Sequence, residues 1–218
     1  MVVIVCVIFI GNFRSPEWTL GKSTYYLVAN SNISFTDSEK LSESVERVGG
    51  AGMISDLNNE KNCVIILCYN SQKDAEKIKS NSLNIFPNTS IICVKSHKIS
   101  NKVQNKLNNN IIEVLKFISS NRIKSNSVLI DFERGDMNFN KLYEYVYKTR
   151  NEIKRLSSAI GEMPEDEMVK LVMVKLETLL DEFLDRNIKS EFSSLYFKKY
   201  IVTMAIEDYN LRNYFINL

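Results

Sequence analysis

A chain of 218 residues with 44% hydrophobic side chains can bury a sizeable core, which excludes global disorder. Its net charge of +2 hides a split: residues 1–150 carry 19 Lys and Arg against 14 Asp and Glu, and residues 151–218 carry 9 against 12. The front part can attract an anionic ligand, whereas the acidic tail is unsuited to holding nucleic acid along its length, so no direct duplex binding is expected.

The chain begins with Val2-Val3-Ile4-Val5-Cys6-Val7-Ile8-Phe9-Ile10, an unbroken and mostly β-branched run. It reads as a strand buried on both faces, the kind found in parallel sheets covered by helices. It lacks a basic leader and a small-residue cleavage site and is too short to span a bilayer, so a cytoplasmic protein without membrane contact is expected. In open α/β sheets ligands bind past the carboxyl ends of strands. The following loop, Gly11 to Ser23, therefore draws interest. Gly11 lets a ligand approach the backbone, and Asn12 stands beside it. Arg14 and Lys22 can meet phosphate oxygens, and Ser15 and Ser23 can donate hydrogen bonds. Trp18 can stack on a base or simply anchor the loop. Gly21-Lys22-Ser23 looks like the end of a phosphate-binding loop, but Pro16 stands where its first glycine belongs.

Ser23 to Ala29 reads as an edge strand or hairpin partner. Thr36-Asp37-Ser38-Glu39 resembles a capping box opening a helix with Leu41, Val45 and Val48 on one face, ended by the glycines of 49–52. Cys63 to Tyr69 is a second apolar strand, and Asn70 and Ser71 fall at its ligand edge, with Ser71 capping a helix over 72–80. Ser90 to Val94 is a third; His97 follows it and reads as an exposed loop residue. Val103, Leu107, Ile111, Val114, Leu115 and Ile118 make a helical stripe over 102–122. Ser127 to Phe132 reads as a further strand. At its end Arg134 and Gly135 open a helix, where free amides favour an anion; the plainer role there is Asp136 or Asn138 as a helix cap. Three helices follow, from Phe139 onward, over 165–187 and over 191–216, with Met163, Met168, Met173 and Met204 as adaptable surface.

Cys6, Cys63, Cys68 and Cys93 each lie in or beside an apolar run and read as small buried hydrophobes of a reducing interior. With no Cys-x-x-Cys pair and a single histidine, no zinc module is expected, and the acids Asp131, Glu133 and Asp136 lack a second cluster to complete another metal site. No cofactor is expected. No Ser-His-Asp order, G-x-S-x-G, H-E-x-x-H or G-x-G-x-x-G occurs, so catalytic residues stay unassigned. Strands alternating with helices give the expected fold: an α/β, Rossmann-like, mainly parallel sheet flanked by helices over 1–150, then a helical dimerisation or interaction domain over 151–218.

A strand ending in Gly11-Asn12, a short loop with an aromatic, a tyrosine-containing second strand and a Ser/Thr-rich helix start resemble the CARF sensor proteins of type III CRISPR systems. In that family a later strand ends in a D-x-T-H-G-like motif; here Asp131-Phe132-Glu133-Arg134-Gly135, followed by Asn138-Phe139, keeps Asp131 and Gly135 and replaces the Thr and His by Glu133 and Arg134. The resemblance covers about residues 1–150. It implies a homodimer that binds a cyclic oligoadenylate, or another anionic nucleotide, across its two-fold axis in antiviral defence. Gly11, Asn12, Arg14, Ser15, Trp18, Lys22, Asn70, Ser71, Arg134 and Gly135 are the expected ligand contacts. Many relatives carry a helical ribonuclease with an R-x4-6-H motif; residues 151–218 contain no histidine, so that activity is not expected here. Other relatives cleave the cyclic ligand without metal, for which Arg14, Lys22 and Arg134 would supply charge. Two readings stand beside this one: a non-catalytic interaction or scaffold protein with a degenerate α/β fold, of viral or plasmid origin, and a small nucleotide-dependent transferase with a pocket beside Gly11 and Asp131.

Overall fold

Ser34 opens the first helix among the described residues by accepting a hydrogen bond from the Asp37 amide at 3.2 Å, two residues before the expected capping box. The computed structural model that shows this describes residues 20–31, 33–57, 60–104, 106–185 and 194–217. The strand expected over 2–10 lies outside them, as do Gly11, Asn12, Arg14, Ser15 and Trp18.

The described chain runs β1 (Ser23–Asn30), α1 (Phe35–Arg47), β2 (Met53–Leu57), β3 (Glu60–Tyr69), α2 (Gln72–Ser82), β4 (Thr89–Ser96), α3 (Asn101–Gln104), α4 (Asn109–Glu133), α5 (Phe139–Ala159), α6 (Pro164–Asp185) and α7 (Leu195–Ile216). The four strands form one sheet in the order β2-β3-β1-β4, and every neighbouring pair is antiparallel. The fold is thus α/β with a C-terminal helical region, but the expected mainly parallel sheet is corrected to an antiparallel one. The reason lies in the connections. β1-α1-β2 and β3-α2-β4 are each β-α-β units whose two strands run the same way. Each unit leaves a gap between its strands, and a strand of the other unit fills it. This is the split β-α-β plan of ferredoxin-like folds. A sequence shows the alternation of strand and helix, not the interleaving.

The same topology moves β1 from the expected margin to the interior, between β3 and β4. β2 was not anticipated: Met53-Ile54-Ser55-Asp56 is short and half polar, and only its pairing with β3 makes it a strand. The turn into it needs glycine. Gly49 and Gly52 have φ of +82° and +60°, and a Cβ on Gly52 would sit 2.7 Å from the Ser42 carbonyl.

α1 packs on β2 and β3, and α2 on β1, β3 and β4. The opposite face is filled by α7 and α4, so the sheet has no free face there; the Tyr25 phenol donates to the Ala205 carbonyl of α7 at 2.5 Å. α7 packs against the sheet, α4 and α6 and is buried along most of its length. Phe197 sits in its first turn, with Tyr145 edge-on at 6.1 Å and Tyr200 stacked at 6.1 Å. α5 and α6 are joined at their margin by Arg150 to Asp181 at 2.6 Å and Lys154 to Glu177 at 3.3 Å. Residue 150, the expected domain boundary, falls within α5.

The strand expected over 127–132 is instead the last part of α4, a 25-residue helix. Its buried stripe continues past Ile118 through Asn121, Arg122, Ser125 and Asn126, all polar, so the apolar period stops while the helix does not. Read alone, Val128-Leu129-Ile130 then looks like a new strand.

Candidate functional site

The relocation of residues 127–135 changes the electrostatics of the expected anion site. Arg134 is the C-cap of α4, and Gly135, at φ +81°, ends that helix in the left-handed region. A helix C-terminus presents carbonyls and negative potential, the reverse of the amide-rich N-terminus expected there. Asn138 caps α5 by accepting from the Lys141 amide at 3.0 Å, the plainer role foreseen for it. Ser71 caps α2 through the Asp74 amide at 3.4 Å. Lys22 is exposed just before β1, and His97 is exposed just after β4. Of the cysteines, Cys63 and Cys68 are buried as expected, whereas Cys93 is exposed on the edge strand β4.

Of the expected ligand contacts, Arg134 alone lines a hollow among the described residues. Arg134 lines a hollow of about 160 Å³ with Tyr69, Asp74, Lys77, Ile78, Ile130 and Glu133. Tyr69 and Asp74 flank Asn70 and Ser71 in the chain, so the end of β3, the start of α2 and the end of α4 meet here. An adjoining hollow of about 210 Å³ shares Tyr69, Ile78 and Glu133 and reaches Gly49, Gly50 and Lys198. The Lys198 Nζ donates to Glu133 Oε1 at 2.6 Å and to the Gly49 carbonyl at 2.7 Å, tying α7 to α4 and to the turn before β2. Burial, with the Glu133 carboxylate second, holds the Tyr69 phenol well above its ordinary pKa. The lining therefore mixes Lys77, Arg134 and Lys198 with Asp74 and Glu133, and no single sign of charge prevails.

Behind this hollow lies a buried polar seam that sequence reasoning missed. Arg122, 1% exposed, stands 4.8 Å over the Tyr25 ring and donates to Asn70 Oδ1 at 2.5 Å. Its positive charge lowers the pKa of the Cys68 thiol against the rise that burial causes, while its Nε has no hydrogen-bond partner among the described residues. Asn70 thus serves Arg122 from the strand end. Further along, Asn121 donates to the Tyr200 hydroxyl at 2.7 Å and accepts from Tyr145 at 2.8 Å. At the far end Asp208 accepts from Arg212 Nε at 2.9 Å, from Ser119 at 2.7 Å and from Ser23 at 3.1 Å. Arg212 Nη1 donates to the Gly21 and His97 carbonyls at 2.8 and 3.0 Å. The signal for this seam was present in the sequence as Ser119, Asn121, Arg122, Ser125 and Asn126 at helical spacing, but polar residues at that spacing ordinarily mark a solvated face.

A larger concavity lies elsewhere, a groove of about 480 Å³ between the edge strand β2 and helices α6 and α7. Met53, Ile54, Thr178, Leu179 and Thr203 give it apolar walls, and Lys175 and Lys199 stand at its rim. Lys175 is held by Glu207 at 2.7 Å and Lys199 by Glu46 at 2.7 Å. Beside it on α6, Leu171 is 65% and Val174 54% exposed. Among the described residues no three His, Cys, Asp or Glu side chains gather to hold a metal ion, and no helix is long and apolar enough to cross a membrane. The chain matches no protein-family model, no curated protein and no solved structure, so its chemistry is read from these residues alone.

Proposed function

We propose that this chain is a non-catalytic interaction protein: a ferredoxin-like α/β unit, stiffened by a helical layer, that presents the edge of β2 and the outward side of α6 to a protein partner. The observation that carries this reading is the apolar groove along β2, continued by exposed Leu171 and Val174. Exposed apolar surface at a concavity marks partner sites, and β2 pairs only with β3 among the described strands, which leaves its outer edge open to an added strand. Most of the buried polar groups, in contrast, are engaged with one another. A lysine-reactive cross-linker applied to the full chain in its host cell tests the reading. Lys170 and Lys175 on α6 should give more intermolecular products than Lys141 and Lys148 on α5. Leu171→Glu with Val174→Glu should remove the α6 products at unchanged melting temperature. Equal yields from both helices would defeat it.

A second reading is favoured by the meeting of Arg134 with the β3–α2 junction at one hollow. In it the chain is a CARF-like sensor binding a cyclic oligoadenylate at a dimer interface, with Arg134 and the loop around Arg14 and Lys22 on the phosphates. Calorimetry with cyclic tetra- and hexa-adenylate should then show heat that falls at least about tenfold in affinity on Arg134→Ala, the scale of one charge-assisted contact. Absence of heat with either ligand removes this reading.

A further inference from the structure

The exposed side of α6 has the pattern of a surface that pairs with itself. Pro164, Glu167, Leu171, Val174 and Thr178 recur at steps of three and four, the spacing of a helix–helix seam, and all five are exposed. A patch that pairs with its own copy must be self-complementary about a two-fold axis. An antiparallel pairing centred on Leu171 meets that condition. Leu171 lies against Leu171 of the second copy, Val174 is level with Met168, and Pro164 is level with Thr178. Glu167 comes level with Lys175, whose side chain is 52% exposed although one of its donors engages Glu207. Met163, 60% exposed, comes level with Leu179 in the groove beside β2. Moving the centre to midway between Leu171 and Val174 would set Lys170 level with Lys175, like charge against like. Both registers bring Leu171 and Val174 onto apolar residues, so charge selects between them, in favour of the one centred on Leu171.

We infer that the occupant of this face is a second copy of the chain, docked antiparallel along α6 with Leu171 on the two-fold axis. The inference rests on the interaction reading above and commits it to self-association. The test uses the full chain with Cys6→Ser and Cys93→Ser, into which Leu171→Cys or Thr178→Cys is introduced. Two cysteines at 171 would face each other across the axis within disulfide reach. Two at 178 would be displaced in opposite directions, about 20 Å apart along the helices. Mild oxidation should link the 171 variant into a covalent dimer and leave the 178 variant a monomer. Sedimentation equilibrium should give twice the chain mass for the wild type and once for Leu171→Glu. Equal linking at both positions, or a wild-type monomer at tens of micromolar (the scale of a weak but specific dimer), overturns the inference. If the wild type is a monomer while the α6 lysines still cross-link to another protein, the inference falls and the interaction reading stands; loss of both defeats both.

Discussion

Asp208→Ala is expected to lower the unfolding free energy by about 3–5 kcal/mol, the cost of leaving one charge of a buried pair uncompensated. Asp208 and Arg212 are 0% and 2% exposed at their side chains and lie one turn apart on α7. Without the carboxylate, Ser23 and Ser119 lose their acceptor, and the guanidinium is left with neutral partners only. Replacing such a pair by hydrophobic residues is often harmless in other settings. Here it is not expected to be, because Arg212 also donates to the Leu20, Gly21 and His97 carbonyls, where the chain enters β1 and leaves β4. Without Arg212 the Leu20 carbonyl would keep only the Ile99 amide, and the Gly21 and His97 carbonyls would lose the donor that ties the two strand ends together. Asp208→Asn keeps one acceptor oxygen and should recover part of the loss. Urea denaturation followed by circular dichroism reads the series, and a loss below about 1 kcal/mol for Asp208→Ala would show that the pair contributes little beyond a surface ion pair. The exposed pair Lys148 and Glu144 is the natural control, and its removal should barely register.

This seam also marks where sequence reasoning stops. The strands at Cys63 to Tyr69 and Ser90 to Val94 were legible because apolar β-branched runs have few other uses, and the helices after Phe139 because their stripes are apolar and long. Ser71 and Asn138 announced their caps by residue type alone. Sheet direction was not legible: β1-α1-β2 reads the same whether its strands adjoin or admit β3 between them. Nor was the end of α4, since Asn121, Arg122, Ser125 and Asn126 carry the signature of a solvated face and are buried only because Tyr25, Cys68, Asn70, Tyr145 and Tyr200 arrive from elsewhere to bond them. The helix start expected at Arg134 and Gly135 was misplaced for the same reason. Arg134 and Gly135 were placed at the start of a helix on the strength of a strand that does not form, and the correct element reverses the sign of the backbone potential around them. Which side of α6 stays exposed was not legible either, since it depends on where α5 and α7 pack against the helix.

The second large effect is alkaline. The phenols of Tyr25, Tyr69, Tyr145 and Tyr200 are all held above their ordinary value of 10.0, and in each case burial is the main cause. Burial pushes the Cys68 thiol from 9.0 up to about 12, although the Arg122 charge pulls the other way. The sign follows from linkage. Below pH 9 these groups are protonated in both states, and the fold keeps its full stability. Between pH 9 and 10 the unfolded chain begins to lose the Cys68 proton while the folded chain retains it. Above pH 10 the unfolded phenols ionise as well. Each such group lowers stability by about 1.4 kcal/mol per pH unit once the unfolded form has ionised and the folded form has not. Three or more acting together between pH 10 and 11 remove several kcal/mol, a large share of what a domain of this size holds. Urea midpoints should therefore be flat from pH 7 to 8.5 and fall steeply above pH 10. Tyrosinate absorbance should show the four buried phenols ionising together with unfolding rather than before it. Tyr25→Phe isolates one contribution. At pH 8 it loses only the bond to Ala205, about 1 kcal/mol, and above pH 10 its stability should fall less steeply, by one proton, than that of the wild type. A midpoint that holds to pH 11, or Tyr25→Phe with an unchanged slope, would mean that the seam admits water and ionises in the folded state.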